Sequence, residues 1–421
     1  MDFKLIIKEQ REELKSIEKR ENLIERECLG RAKKFLKYPN VLAIVGVRRC
    51  GKSIFSYLLA KEKRFGYINF DDERLIGVRT AHLNDILQAF YELYGDIEYI
   101  VLDEVQNIKN WELFVSRLRR TKRVIITGSN SKLLAGELAT YLTGRHIDIT
   151  LFPFSFREFL DLNQIKRLKV YTTREKAKVL KALNEYLKIG GFPEVKKFGK
   201  TILFRIYDDI ITKDILLRYK IKKIEEAKKL AKYLITNFCQ EISYCKLAKF
   251  LGIKHVSTLS NWISYLEQSF LFFKLERFSF KLKQQFIAPK KIYCIDNGIV
   301  NAIAFRFSEN IGFFMENAVA IELQRKKSLN PLTEIYYWKD HQQNEVDFVI
   351  KNNRKIAHLI QVTCANSKDE IKERETKSLI KASKELKCNK LLIITLNCEG
   401  EVKYKGKKIK LLPLWKWFLE N

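Results

Sequence analysis

The sequence predicts an α/β protein whose leading domain is a parallel sheet built around a phosphate-binding loop. Two stretches carry that prediction. Residues 41–60, VLAIVGVRRCGKSIFSYLLA, pass from a short β-branched run through a glycine-bounded loop into an amphipathic helix. That is the strand–loop–helix setting that G-x-x-x-x-G-K-[ST] requires. Residues 96–114, DIEYIVLDEVQNIKNWELF, hold a second apolar strand, Tyr99 to Leu102, that ends on Asp103-Glu104.

The loop Gly46-Val47-Arg48-Arg49-Cys50-Gly51-Lys52-Ser53 explains itself chemically. Gly46 and Gly51 let the backbone curl with its N–H groups inward, and the helix N-terminus behind them adds positive dipole. Lys52 is expected to reach the β- and γ-phosphates, and the Ser53 hydroxyl to ligate Mg²⁺. Asp103 is the expected second Mg²⁺ contact, and Glu104 the group that polarises an attacking water. ATP and Mg²⁺ are therefore the predicted cofactors. A third apolar strand, Val124 to Ile126, breaks into Gly128-Ser129-Asn130-Ser131. Ser129 or Asn130 is the candidate γ-phosphate contact, with ordinary loop chemistry as the alternative. Arg145, following Gly144, is the candidate arginine finger on this or a neighbouring protomer. A plain surface arginine is the competing reading. The INFDD stretch at 68–72 is expected as a strand beside the loop strand, bringing Asp71 and Asp72 near the nucleotide.

Composition bounds the rest. A chain of 421 residues holds two to four domains at about 100–200 residues each. Hydrophobic residues make up 46%, with 6 Pro, which places the chain among folded proteins. Runs such as YIVL and SFLFFKL are far shorter than the ~20 residues a membrane-spanning helix needs. The start lacks a continuous apolar core and a small-residue cleavage site, so no signal peptide is expected and the predicted location is cytoplasmic. The eight cysteines form no C-x-x-C pair and the five histidines no ligand spacing, which argues against structural zinc and disulfides. A net charge of +29 favours a polyanion such as DNA as partner. The competing source of such a charge is a thermophile-like, Lys- and Glu-rich surface.

Five segments are expected: an N-terminal helical segment (1–40), the P-loop core (41–165), a helical lid (166–226), a winged helix-turn-helix (227–282) and a C-terminal α/β domain (288–421). The lid is helical by period and breaks at IGGFPEV, residues 189–195. In the fourth segment SYCKLAKFLGI and STLSNWISYLEQ form a helix–Gly turn–helix, with FLFFKLERFSF as the wing. Its second helix offers Ser257, Thr258, Ser260, Asn261 and Ser264 but no Arg or Lys. That set suits phosphate or water-mediated contacts better than base readout.

Together GVRRCGKS, YINFDDERL, YIVLDEVQNIKNWELF, ITGSNSKLLAGELATYLTGR and FPFSFREFL resemble a prokaryotic, mainly archaeal, group of AAA+-type ATPases, and the resemblance continues to the C-terminus. It implies a restriction-endonuclease-like fold for the last segment, where helix NIGFFMENAVAIELQRKK, strands EIYYWKD, EVDFVIK and KIAHLIQVT, helix DEIKERETKSLIKASKEL and strand KLLIITL give the order α-β-β-β-α-β. In that fold acids on the first helix, the second strand and the third strand meet a metal, with a lysine two residues after the last acid. Here Glu316 takes the helix position and Asp347 the strand position, with Glu345 on the same strand face. Gln361 and Thr363 replace the last acid and the lysine, so the site reads as vestigial. Lys355, Lys368 and Lys377 are the lysines that would have to migrate to restore it. The implied activity is an Mg²⁺-dependent ATPase coupled to a winged helix and an inactive nuclease-like domain. An ATP-gated DNA endonuclease and an ATP-binding scaffold for a protein partner are the alternatives, with oligomeric state open.

Overall fold

Short apolar runs buried on both faces make the central strands of a parallel sheet, and the first 153 residues use this device in their central strands. In the computed structural model, which describes residues 1–131, 142–305 and 310–420, β1 (Val41–Val45) and β3 (Tyr99–Asp103) are buried at every residue. The chain divides into two units, Met1–Pro153 with Gln268–Phe270 and Phe154–Glu267 with Leu271–Asn421.

The first unit carries a five-stranded parallel sheet in the order β2-β3-β4-β1-β5, where β2 is Phe65–Asn69, β4 Arg123–Gly128 and β5 His146–Thr150. Helix α1 (Phe3–Arg20) precedes the sheet, and α2 (Leu29–Phe35) leads into β1. Helices α3 (Lys52–Ala60), α4 (Leu83–Tyr94) and α5 (Trp111–Leu118) follow β1, β2 and β3. Strand β4 inserts between β1 and β3, pairing Ile125 with Leu42 and Val124 with Ile100. This corrects the expected place of the 68–72 strand: β2 is an edge strand bonded to β3, with β3 and β4 between it and β1. Asp71 and Asp72 lie beyond its end. Asp72 caps a turn through the Arg74 N–H and accepts from Gln10. The exposed β2 edge is covered rather than left open, as sheet edges must be. Gln10 on α1 exchanges hydrogen bonds with the Asn69 backbone at 2.9 and 3.2 Å, while Ile6 and Ile7 join the core beneath. The N-terminal segment thus belongs to the same unit as the P-loop. Residues 132–141, part of the stretch that carried the resemblance, lie outside the described residues.

The second unit begins earlier than 166. Ser155 and Glu158 form a capping box that starts α6 (Phe156–Leu162), and Phe156 and Phe159 pack on Tyr186 of α7 (Thr173–Ile189). The segment expected as a lid therefore packs with this unit. Helix α8 (Thr201–Asp209) follows and runs on as a π-helical turn. Next come α9 (Ile224–Thr236), β6 (Glu241–Ile242), α10 (Tyr244–Phe250), α11 (Val256–Gln268), β7 (Phe272–Arg277), α12 (Leu282–Ile287) and β8 (Lys290–Cys294). FLFFKLERFSF is one strand and not a hairpin. Its antiparallel partner is β8, which the sequence reading had assigned to the next segment.

After α13 (Asn297–Ile303), helix α14 (Ile311–Leu329), β9 (Thr333–Lys339), β10 (Glu345–Asn352), β11 (Lys355–Val362), α15 (Glu373–Glu385) and β12 (Leu391–Thr395) follow in the predicted order. The unanticipated hairpin β13–β14 (Gly400–Tyr404, Lys407–Pro413) turns through Lys405-Gly406, both at positive φ. Helix α16 (Leu414–Glu420) buries Trp415 and Trp417 as expected. Because β7 pairs parallel with β9, all these strands form one nine-stranded sheet, β13-β14-β12-β11-β10-β9-β7-β8-β6.

Candidate nucleotide site and a buried ionic cluster

The P-loop leaves β1 at a point where only glycine fits. A Cβ on Gly46 would lie 2.1 Å from the Leu151 carbonyl oxygen, and Gly51 closes the loop in the left-handed region at φ 95° as N-cap of α3. Gly46→Ala is therefore expected to force the loop open. Overpacking of this kind costs about 1–3 kcal/mol, equivalent to a roughly 10- to 100-fold weaker ATP Kd, measurable with a fluorescent ATP analogue. Arg26, absent from the sequence candidates, braces the loop from below. It is buried and donates to the carbonyls of Cys50 at 2.9 Å and Phe152 at 2.5 Å. Cys50 is itself buried, which pushes its thiol up and keeps it neutral.

Four predicted residues converge behind the loop. Lys52 is buried, with its Nζ 3.3 Å from the Val47 carbonyl and 3.3 Å from Glu104 Oε1. Burial works against its charge, but Glu104, Cys50 and Asp103 outweigh it and hold the pKa above the ordinary value. Asp103 is fully buried; burial and then Glu104 raise its carboxyl. Donors from Tyr67 (2.7 Å), Thr127 and the Ser53 hydroxyl oppose that rise. Ser53 and Asp103, the two expected Mg²⁺ contacts, are thus hydrogen-bonded to each other. Glu104 sits in the left-handed region at φ 50°, ψ 43°, which aims its side chain back at the loop. Its Oε2 accepts from Gln106 at 2.5 Å and from the Ser129 N–H at 3.2 Å. Burial would raise its pKa, but Lys52, Gln106 and Arg48 hold it below the usual carboxylate value.

Of the remaining candidates, Ser129 and Asn130 are buried at the β4 end, and the Ser129 backbone touches Glu104. Arg48 pairs with the exposed Asp71 at 3.3 Å. Val47 is buried, and Arg49 is exposed at φ 63°. Arg145 is corrected. Its carbonyl accepts from the Val41 N–H at 3.0 Å, at the start of β1, whereas the P-loop leaves the other end. Four strand steps separate them, ~13 Å at about 3.3 Å per residue, and the side chain is exposed. Arg145 is no finger for the site of its own chain.

The C-terminal candidates also meet, around a residue the sequence reading missed. Lys291 on β8 is buried, with its Nζ 2.6 Å from Glu345 Oε1, 2.9 Å from Glu316 Oε1 and 3.7 Å from Asp347 Oδ1. Burial opposes its charge, but Glu316, Asp347 and Glu345 raise its pKa well above the ordinary value. Tyr293 also donates to Glu316 Oε1 at 2.8 Å. Burial, then Glu316, pushes Asp347 up, against its acceptance of the Val362 N–H at 2.8 Å. Lys355 and Lys377 are exposed on the surface, and Lys368 donates to the Glu401 carbonyl, so none of the three migrates into this site. Thr363 is buried, its N–H donating to the Ile394 carbonyl at 2.9 Å.

Comparison with known proteins matches these parts in sequence. An AAA domain model covers residues 38–160, which bracket the P-loop and Glu104. Two domains of unknown function, DUF8612 and DUF4143, match residues 180–310 and 311–417. Uncharacterized protein MJ1544 of Methanocaldococcus jannaschii is 38% identical over 403 residues, covering 90% of this chain and 89% of its own. The chain belongs to the family of that archaeal protein. An uncharacterized Haemophilus influenzae protein is 29% identical over 365 residues, 82% of this chain and 86% of its own. Among solved structures, the Walker-type ATPase paby2304 of Pyrococcus abyssi matches 68% of this chain and 97% of its own at 15% identity and a TM-score of 0.42. Within this family member, Lys291 falls in the DUF8612 segment, while Glu316, Glu345 and Asp347 fall in DUF4143. Among the described residues no helix is long and apolar enough to cross a membrane.

Proposed function

We propose that the protein is an Mg²⁺-dependent ATPase, converting ATP to ADP and phosphate, whose nucleotide state is coupled to a winged helix and to a nuclease-like domain that does not cut. One observation carries the ATPase reading: Lys52 and Ser53, opening the helix after β1, and Asp103 and Glu104, at the end of β3, meet at the P-loop, already bonded to one another. The residues fit the group. The loop admits no side chain at Gly46, and a buried ammonium and carboxylate, with the half-buried Ser53 hydroxyl, stand behind it. Bound Mg²⁺ would neutralise phosphate oxygens. Ser53 and Asp103 would hold it, and Lys52 would turn from Glu104 to the phosphates. Glu104, kept in place by Gln106 and the Ser129 N–H, would then accept the proton of an attacking water. ATP turnover of Lys52→Ala, measured by phosphate release, tests this. An unchanged rate would overturn it.

Two features support the attached modules. The order α9-β6-α10-α11-β7-β8, with β8 between β6 and β7, is what a winged helix-turn-helix would have. The antiparallel β9-β10-β11 continued by parallel β12 suits a nuclease-like core. DNA remains the favoured polyanion on a net charge of +29, and turnover with and without DNA at moderate salt reads that partner directly. The buried acids around Lys291 favour the non-cutting form over the ATP-gated endonuclease. A plasmid should stay supercoiled with wild type and Asp347→Ala alike in Mg²⁺; nicking by wild type alone would reverse the ranking.

A further inference from the structure

Lys291 has no part in the nucleotide site, yet it is among the most deeply buried cations of the chain. Carboxylates from α14 and β10 surround it, and such hard oxygen sets are how proteins present ligands to divalent metals. A fourth oxygen faces the same place. Asp347 and Gln361, one step past the register pair Phe348–Ile360, share a face of the antiparallel β10–β11 ladder. Gln361 is 9% exposed, and its Oε1 is buried with no hydrogen-bond donor. A buried amide oxygen left without a partner is costly and calls for a cation or donor.

Charge points the same way. Lys339 bonds Glu345 at 3.3 Å and Glu241 at 2.8 Å, so the linked set holds Glu241, Glu316, Glu345 and Asp347 against Lys291 and Lys339. Four carboxyls face two ammoniums, with the Asp347 carboxyl pushed up toward its neutral form by burial and Glu316. Among the described residues no three His, Cys, Asp or Glu are by themselves arranged to hold a metal.

We propose that the Lys291 ammonium stands where a divalent cation would sit, so that Glu316, Asp347 and Gln361 form a latent hard-metal site closed by a tethered lysine. The pocket keeps its ligands and excludes the metal, which accounts for a nuclease-like domain that does not cut. The inference borrows the acids of that reading and is independent of ATP turnover.

The test is Mn²⁺ titration of the nucleotide-free full chain, followed by electron paramagnetic resonance and by thermal unfolding. Wild type and Asp347→Asn should take up the same Mn²⁺, showing no ion at this pocket. Lys291→Met should bind one additional Mn²⁺ and regain its lost melting temperature in Mn²⁺, and the double variant with Asp347→Asn should lose both effects. Gln361→Glu keeps Lys291, whose ammonium still fills the position, so it should bind no extra ion; added to Lys291→Met it should tighten the ion that Asp347→Asn removes. Folded Lys291→Met without the extra ion overturns the proposal, as does a wild-type ion lost on Asp347→Asn. Should Lys291→Met fail to fold even with Mn²⁺, Lys291→Gln, which keeps a polar but uncharged side chain, is read in its place, and folded Lys291→Gln without the extra ion overturns the proposal.

Discussion

Glu104→Gln is expected to abolish ATP turnover while leaving ATP binding nearly intact. Glutamine keeps the shape and can still accept from Gln106 and the Ser129 N–H, the contacts that fix the side chain. It cannot take a proton from water, and loss of a positioned base costs roughly 10²–10⁴-fold in rate. The substitution also removes the charge that Lys52 pairs with at 3.3 Å, so Lys52 is freed for phosphate and ATP should bind at least as tightly. Lys52→Ala should instead weaken binding, because its ammonium is the buried cation behind the loop. Steady-state phosphate release and the Kd of a fluorescent analogue, measured on both variants, separate the two roles. Glu104→Gln turnover within a factor of two of wild type would sink the assignment and leave Glu104 a partner of Lys52 only.

The elements that sequence could name were those whose signal is local. Val41–Val45 and Tyr99–Asp103 are apolar runs bounded by glycine or acid, and the loop between β1 and α3 has a fixed letter pattern. Pairing is not local. Nothing in RVIITG shows that β4 slides between β1 and β3, so the 68–72 strand was expected beside β1, although Asp71 still reaches Arg48 of the loop at 3.3 Å. Nor does FLFFKLERFSF show that its partner lies past α12. Of the readings of Arg145 only the own-chain finger fails, because a residue just before a parallel strand lies at the end opposite a loop that follows one; its exposure agrees with a plain surface arginine. Thr127 and Tyr67 carried a faint signal, as polar atoms in otherwise apolar strands. Lys291 carried none. It is one of two adjacent lysines in PKKIYC, and strand alternation sends one inward without saying which. Gln361 and Thr363 stand where the expected pattern wants an acid and a lysine, and the lysine that does face the acids, Lys291, comes from outside that stretch.

The largest stability effect is expected at Asp296, which the motif reading passed over. Its carboxylate is fully buried and accepts from Gly191 at 2.7 Å, Gly298 at 2.8 Å and Ile299 at 3.2 Å. The Gly190-Gly191 turn wraps it so closely that a Cβ on Gly190 would lie 2.0 Å from Oδ1. This is the IGGFPEV break seen from the other side: the glycines are there to let the chain reach the carboxyl. Asp296→Ala strands three buried N–H groups, and at about 1–3 kcal/mol each, with partial relaxation, a loss of about 3–5 kcal/mol is expected. Charge adds a pH signature. Burial pushes Asp296 up from 3.8 to about 7, overriding its three donors. The folded state therefore binds more protons than the unfolded chain between those values. Its stabilisation is fully present below about pH 4 and is lost as pH rises through 7, a change of about 4 kcal/mol for this group at about 1.4 kcal/mol per pH unit. Asp296→Asn cannot titrate and loses one acceptor, so it should be less stable than wild type at pH 5, with the gap shrinking or reversing by pH 8. Urea midpoints of both proteins at the two pH values measure this. A gap that stays constant would mean the carboxyl is ionised throughout, with the three N–H donors outweighing burial.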